Sequence, residues 1–562
     1  MRRWNVAPKH DTIRKDAGWF DVSAGRRNKH YMKQKKILWD FILVLMMALF
    51  SPNLAVAQAS TAQETGLASN VVRNATLDNG LEVFVVENHA VPLVTVCVAF
   101  RGGALAQTPE TAGFFHLYEH MMFNGNDKYP TKDAFTAALN RMGTTSWNGA
   151  TGKEYINYYI TVPSEKLADA VDFWAHAVMN PTLNYAVLEN EKLVVLNEIR
   201  GYHSDPAQIA SNALESRMFN TFPWRKNIDG PESNVANATV AELRDMQKTY
   251  YVPTNTALLV GGDTTLEQVQ ALAEVSFGKW ARAPQPVLAE PAQGPIPDGI
   301  RLVTAEDQFY RGIAQVQFRW RGPDVTRQTF DTYVSDVLLF LLSSPSGPFK
   351  SEIMRKVFGL YDAEYIDFIY PTARDGGNYI FSTFMLVQKP ATEEPVLQRV
   401  ENLRKTVLDE FAQIARDPRA YFGDEALEEA KTKLVDQNIY ALESAGSFVT
   451  DTLTFWWSTA GTDYFFNYEA NCKKVTWDDI SALIRKYLTG EAGQGSAVVA
   501  GSAPGSSVST SGAPSASSVP PAATLVRLRT STFGADPRME AKIGELGYTR
   551  ATAQNAFWWQ QR

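Results

Sequence analysis

The chain has 562 residues, 45% apolar and 20% charged, which excludes a mostly disordered, collagenous or multi-span membrane protein. Its 54 Lys and Arg against 61 Asp and Glu leave a net charge of −7, with no basic footprint for nucleic acid, and 2 cysteines cannot staple a disulfide scaffold. At the N-terminus, residues 37–50 read ILWDFILVLMMALF, unbroken apolar from Phe41 to Phe50, a run too short to span a bilayer comfortably, which takes about 20 residues. Lys33, Lys35 and Lys36 precede it, and Ala55-Val56-Ala57 and Ala57-Gln58-Ala59 follow it. Basic, apolar, then small residues is the layout of a secretory signal peptide, here 32–59. Met32 opens that segment, so residues 1–31 read as an over-extended start; the rival reading is a genuine extension with an uncleaved membrane anchor. The expected location is periplasmic or secreted. Residues 1–57 hold 11 Lys or Arg and 4 Asp, so the remaining 505 residues carry 43 basic and 57 acidic groups, a charge of −14.

The next elements predict an α+β fold. The turn Asp78-Asn79-Gly80 leads into a strand at 81–86, and a continuous β-rich run follows at 93–100. Leu167, Val171, Trp174 and Val178 make one helix face, and 257–260 is a further strand. The segment Val96–Gly103 (VCVAFRGG) is echoed 220 residues later by Val316–Pro323 (VQFRWRGP). A repeat of this length predicts two homologous domains, 71–285 and 298–490, with a Pro- and Ala-rich linker at 286–297. Residues 491–524 are almost all Gly, Ser, Ala, Pro, Thr and Val and read as disordered. Residues 525–562, ending in Phe557-Trp558-Trp559, read as a tail of unknown role.

Chemistry enters at 113–123, GFFHLYEHMMF. His116 and His120 stand at i and i+4 of a helix, so both imidazoles reach one ion, with Glu119 beside them to hold a water. Neutral imidazoles suit Zn²⁺, and three protein ligands leave a position for water. The pattern inverts the His-Glu-x-x-His zinc motif. A third ligand is offered by the helix 187–200, where Glu198 completes the set and Glu191, two turns earlier, is placed to orient a histidine.

His116-x-x-Glu119-His120 followed by Glu191 and Glu198 resembles the pitrilysin/insulinase metallopeptidases, or inverzincins, most closely the small processing-peptidase-like members. Asn197–Arg200, Ala238–Arg244, Tyr250–Thr256 and Leu259–Asp263 are similar to the segments that follow the third ligand there, so the likeness covers about 70–490. The resemblance implies two α/β-sandwich domains and one zinc per chain on His116, His120 and Glu198, with Glu119 as general base. It implies peptides or unfolded polypeptide as substrate, enclosed by a homodimer or by a heterodimer with a homologous subunit. It further implies backbone capture on an edge strand at Asn148, Ala150 and Thr151, and an Arg/Tyr pair from the second domain to stabilise the oxyanion. Arg355 matches the Arg. The Tyr slot holds Asp362, flanked by Tyr361 and Tyr365, which are expected to share a strand face. The expected function is a secreted zinc metalloendopeptidase. The alternatives are a zinc-bearing subunit whose partner supplies the Arg/Tyr pair, or a non-catalytic assembly subunit. Asp336-Val-Leu-Leu-Phe340 stands at the metal register of the second half, which therefore carries no second zinc site. His89, His176 and His203 read as surface or core residues, and sequence leaves open whether Cys97 and Cys472 pair.

Overall fold

The computed structural model describes residues 71–288, 293–294, 296–297, 299–387, 394–490, 523–535 and 538–561. The chain divides into units 1–61 and 62–562. The first unit, with the expected start and signal peptide, lies outside the described residues, as do 491–522 of the expected low-complexity tract.

Six strands, β1 (Val72–Thr76), β2 (Glu82–Glu87), β3 (Leu93–Arg101), β4 (Ser146–Thr151), β5 (Tyr155–Pro163) and β6 (Thr256–Gly262), form a sheet ordered β1–β2–β6–β3–β5–β4. β2 and β6 are parallel, β6, β3, β5 and β4 alternate in direction, and β4 is an edge. The helices of this half are α1 (Phe114–Met122), α2 (Lys132–Arg141), α3 (Leu167–Met179), α4 (Tyr185–Ser204), α5 (Pro206–Met218), α6 (Glu232–Asn237), α7 (Val240–Tyr250) and α8 (Leu266–Phe277). All but α5 contribute to the core on one face of the sheet, to which Val83, Val85, Val94, Val96, Val98, Phe100, Leu258 and Val260 also belong. The residues between, Phe84, Val86, Cys97, Ala99, Ala257 and Leu259, point to the other face and are also buried. Burial on both faces is why these strands read as unbroken apolar runs rather than alternating ones.

The second sheet repeats the plan. β7 (Arg301–Glu306), β8 (Ile313–Arg321), β9 (Asp367–Ile369), β10 (Asn378–Leu386), β11 (Ala523–Arg529) and β12 (Thr549–Arg550) are ordered β12–β7–β11–β8–β10–β9. β8 starts and ends 220 residues after β3, as the sequence repeat predicts. α9 (Thr329–Ser343), α10 (Pro348–Lys356) and α11 (Val396–Arg416) follow in the places of α1, α2 and α3.

One expectation is corrected. Residues 523–561 are not an appendage to the fold. β11 runs parallel to β7 and antiparallel to β8, as β6 does to β2 and β3, so it is the missing central strand of the second domain. Its residues are buried from Ala523 to Leu528, and Arg527 forks onto both carboxylate oxygens of buried Glu306 at 2.7 and 3.0 Å. A domain ending at 490 has no strand to join β7 to β8.

The two halves also exchange covers. α5, from the first half, lays Ala210, Ala213, Leu214 and Met218 on the second sheet against Leu302, Leu525 and Phe557. The helical stretch 445–459, from the second half, lays Ala445, Phe448, Val449, Leu453 and Trp457 on the first sheet. Buried polar contacts join the halves as well: Lys226 donates to the Asp375 carbonyl, and Glu154 accepts the Arg374 amide at 2.9 Å. Cys97 and Cys472 are both buried and free.

Asp336, on α9, occupies the register of His116 but accepts a hydrogen bond from the Tyr468 hydroxyl. Burial pushes its carboxyl up to about 7. An unfolded Asp titrates near 3.9, so this group's stability contribution is complete below about pH 4 and is lost as pH rises through 7. Asp336→Asn is therefore expected to melt above the parent protein at pH 8, with the gap closing toward pH 5, in thermal denaturation followed by circular dichroism.

Candidate metal centre

The metal helix is tied down at its start. Gly113, at φ +97°, donates its N–H to Gln107 Oε1 at 2.8 Å, and Gln107 Nε2 donates to the carbonyls of Trp224 and Asn227. The loop that follows, 227–230, lies flush on this end. Gly230 has φ +66°, and a Cβ there would stand 2.2 Å from the Ala112 carbonyl oxygen. From this anchor α1 buries Phe114, Phe115, Leu117, Tyr118, Met121 and Met122 and turns His116, Glu119 and His120 toward α4.

α4 begins at Asn184, whose side chain accepts the Val187 N–H, and runs unbroken past both predicted acids. Glu198 Oε2 lies 3.6 Å from His116 Nε2 and 3.3 Å from His120 Nε2, and the three ligand atoms all lie within 4.8 Å of one another. Ligands held about 2.0–2.1 Å from a tetrahedral zinc stand roughly 3.3–3.5 Å apart, so this set fits the ion. It is the one such group among the described residues. Burial, then the neighbouring His120, pushes His116 down to about 4, which keeps it in the neutral, ligating form. Burial also works against an imidazolium at His120, yet Glu191, Glu198 and Glu119 outweigh it and raise its pKa. That negative field is one a dication neutralises.

Glu191 faces His120. Its Oε2 lies 3.4 Å from His120 Nδ1, on the side away from Glu198, and its Oε1 lies 3.6 Å from Lys132 Nζ. A carboxylate at Nδ1 fixes the proton there and leaves Nε2 free to ligate. The corresponding group for His116 escapes sequence reasoning. His116 Nδ1 has no hydrogen-bond partner among the described residues, and Asp229 Oδ1, on the loop packed against α1, is 4.0 Å away. Burial, then Glu198, pushes Asp229 up to about 6. No periodicity links Asp229 to the helices, so only the fold reveals it.

Glu119 is half-buried, and the desolvation raises its pKa, with Glu198 adding to the effect and Thr151 and His120 opposing it. Thr151 Oγ1 donates to Glu119 Oε2 at 2.6 Å. Thr151 closes β4, the edge strand predicted to take substrate, where Asn148 and Ala150 are exposed. The remaining predicted residues are not gathered into this cluster. Arg355 stands in the last turn of α10, two-thirds exposed, and donates to both oxygens of Glu352. Tyr361 and Tyr365 are exposed and touch edge to face at 5.3 Å. They do not share a strand: 363–365 is a 3₁₀ turn capped by Asp362, whose carboxylate accepts the Glu364 N–H, and β9 starts only at Asp367. Turn capping accounts for an Asp where the resemblance expects a Tyr.

Residues 82–232 match the family described as "Insulinase (Peptidase family M16)", and 237–434 match the "Peptidase M16 inactive domain". The mitochondrial-processing peptidase subunit beta of Blastocladiella emersonii is 27% identical over 227 residues, covering 40% of this chain and 48% of that protein. A Bacillus subtilis protein described as the uncharacterized zinc protease YmxG is 28% identical over 193 residues, covering 34% and 47%. The chain thus spans about half the length of these relatives. The crystal structure of a protease from Helicobacter pylori superposes with a TM-score of 0.61 at 16% identity, over 81% of this chain and 99% of that one, a likeness of fold.

Proposed function

Because the chain belongs to the insulinase, or M16, family of peptidases, we propose that it is an exported zinc metalloendopeptidase acting on peptides or unfolded polypeptide segments. The convergence of His116 Nε2 and His120 Nε2 on Glu198 Oε2, with the Glu119 carboxylate alongside, carries this reading. One zinc per chain, held by those three residues, supplies Lewis acidity that lowers the pKa of water and polarises a carbonyl. Glu119 does the proton work. Its Oε2 is engaged by Thr151, so Oε1 takes the proton from the attacking water and returns it to the leaving amine. Glu191 keeps His120 in the ligating tautomer, and Asp229 is placed to do the same for His116. An extended substrate pairs with the outer edge of β4, past Asn148 and Ala150, giving grip through main-chain bonds.

Export to the periplasm or beyond rests on the signal-peptide layout at 32–59, and among the described residues no helix is long and apolar enough to cross a membrane. A second reading of the assembly draws on Arg355, Tyr361 and Tyr365. Their exposure, with Arg355 engaged by Glu352, favours completion of the site by a homologous subunit, in a homodimer or heterodimer.

Metal analysis tests the ligand set. Purified protein is expected to hold one zinc per chain, and His120→Ala to hold under about a tenth of that, since losing a ligand from a three-residue site removes most of its affinity. Full zinc occupancy in His120→Ala would refute the assignment.

A further inference from the structure

The strand placed to grip substrate also holds the base. Along β4, Trp147, Gly149 and Thr151 face the metal helix and its end: Trp147 packs on Phe123 with ring centroids 5.4 Å apart, and Thr151 reaches Glu119. Gly149, between them, permits the close approach. A Cβ at that position would meet Phe123 Cζ at 2.8 Å and Tyr158 Cδ1 at 3.0 Å. Asn148 and Ala150, on the opposite face of the strand, are exposed, and β4 pairs with β5 alone among the described strands, so its other edge is free to take a peptide.

We propose that Thr151 is a positioning residue for Glu119, fixing the carboxylate through Oε2 so that Oε1 faces the reacting water, and that peptide pairing on β4 steadies this contact. Substrate docking and orientation of the base are then coupled through one strand. The inference rests on the peptidase reading above. In the step itself, Oε1 takes a proton from water as the water oxygen bonds to the carbonyl carbon. It hands that proton to the amide nitrogen as the C–N bond breaks, and Thr151 keeps its own proton throughout.

The test compares full-length, zinc-loaded wild type, Thr151→Val and Thr151→Ser on one unstructured peptide, with zinc content and melting temperature measured in parallel. Valine keeps the shape and removes the hydroxyl. Thr151→Val is expected to lose about tenfold or more in kcat, with KM within about twofold and zinc unchanged, and Thr151→Ser to recover most of that loss. Unchanged kcat in Thr151→Val, or a loss confined to KM, would overturn the proposal, because the second outcome assigns Thr151 to grip alone. Should Thr151→Val fail to fold, Thr151→Ala carries the test: it removes the hydroxyl with less bulk, the same fall in kcat is expected, and unchanged kcat overturns the proposal. Wild type that cleaves nothing sinks the peptidase reading instead, so the two failures are distinct.

Discussion

Glu119→Gln is expected to retain one zinc per chain while kcat falls about 10²–10⁴-fold. Glu119 is not among the three converging ligand atoms, so its amide analogue leaves His116, His120 and Glu198 in place. Glutamine has the same shape and still accepts the Thr151 hydroxyl through its carbonyl oxygen. It cannot take up a proton at neutral pH, and general base catalysis is worth about 10²–10⁴ in rate. The pairing of full metal with lost turnover separates a base from a ligand. Loss of zinc in Glu119→Gln would assign it to the coordination sphere, and full activity would remove it from the chemistry.

Truncation after Gly490 is expected to abolish soluble expression. β7 and β8 do not pair with each other; β11 stands between them, so its removal opens two long edges in the middle of a sheet. Leu525, Val526 and Leu528 leave the core, at about 1.5–3 kcal/mol each. Buried Glu306 loses Arg527, and an unpaired buried charge costs about 3–5 kcal/mol. Together these approach the whole stability of a typical domain, about 5–15 kcal/mol. A milder version, Val526→Asp, is expected to leave a protein with reduced helical signal and early melting in circular dichroism. Wild-type solubility and melting in the truncated chain would show that 523–561 contributes nothing to the fold.

How far the sequence carries depends on the range of the contact. His116, Glu119 and His120 are readable because a helix places i, i+3 and i+4 together, and Glu191 and Glu198 because two turns of α4 return to the same face. The repeat is readable because β3 and β8 occupy the same buried place in two sheets. β11 lies beyond the low-complexity tract, so the 220-residue offset that links β3 to β8 does not lead from β6 to it. Asp229 and the Thr151–Glu119 bond are contacts between a loop or strand and a helix far away in sequence, and neither leaves a period. The exchange of α5 and 445–459 between sheets is hidden for the same reason: amphipathic helices announce an apolar face but not which surface it covers.

Chelation and reconstitution test the central claim most directly. The full-length protein is stripped of metal, assayed on an unstructured peptide, and assayed again after one equivalent of zinc is restored. If His116, His120 and Glu198 hold the ion that drives peptide hydrolysis, cleavage disappears on stripping and returns with the first equivalent. Cleavage that persists in the stripped protein, or that stays absent after zinc is bound, would contradict the account.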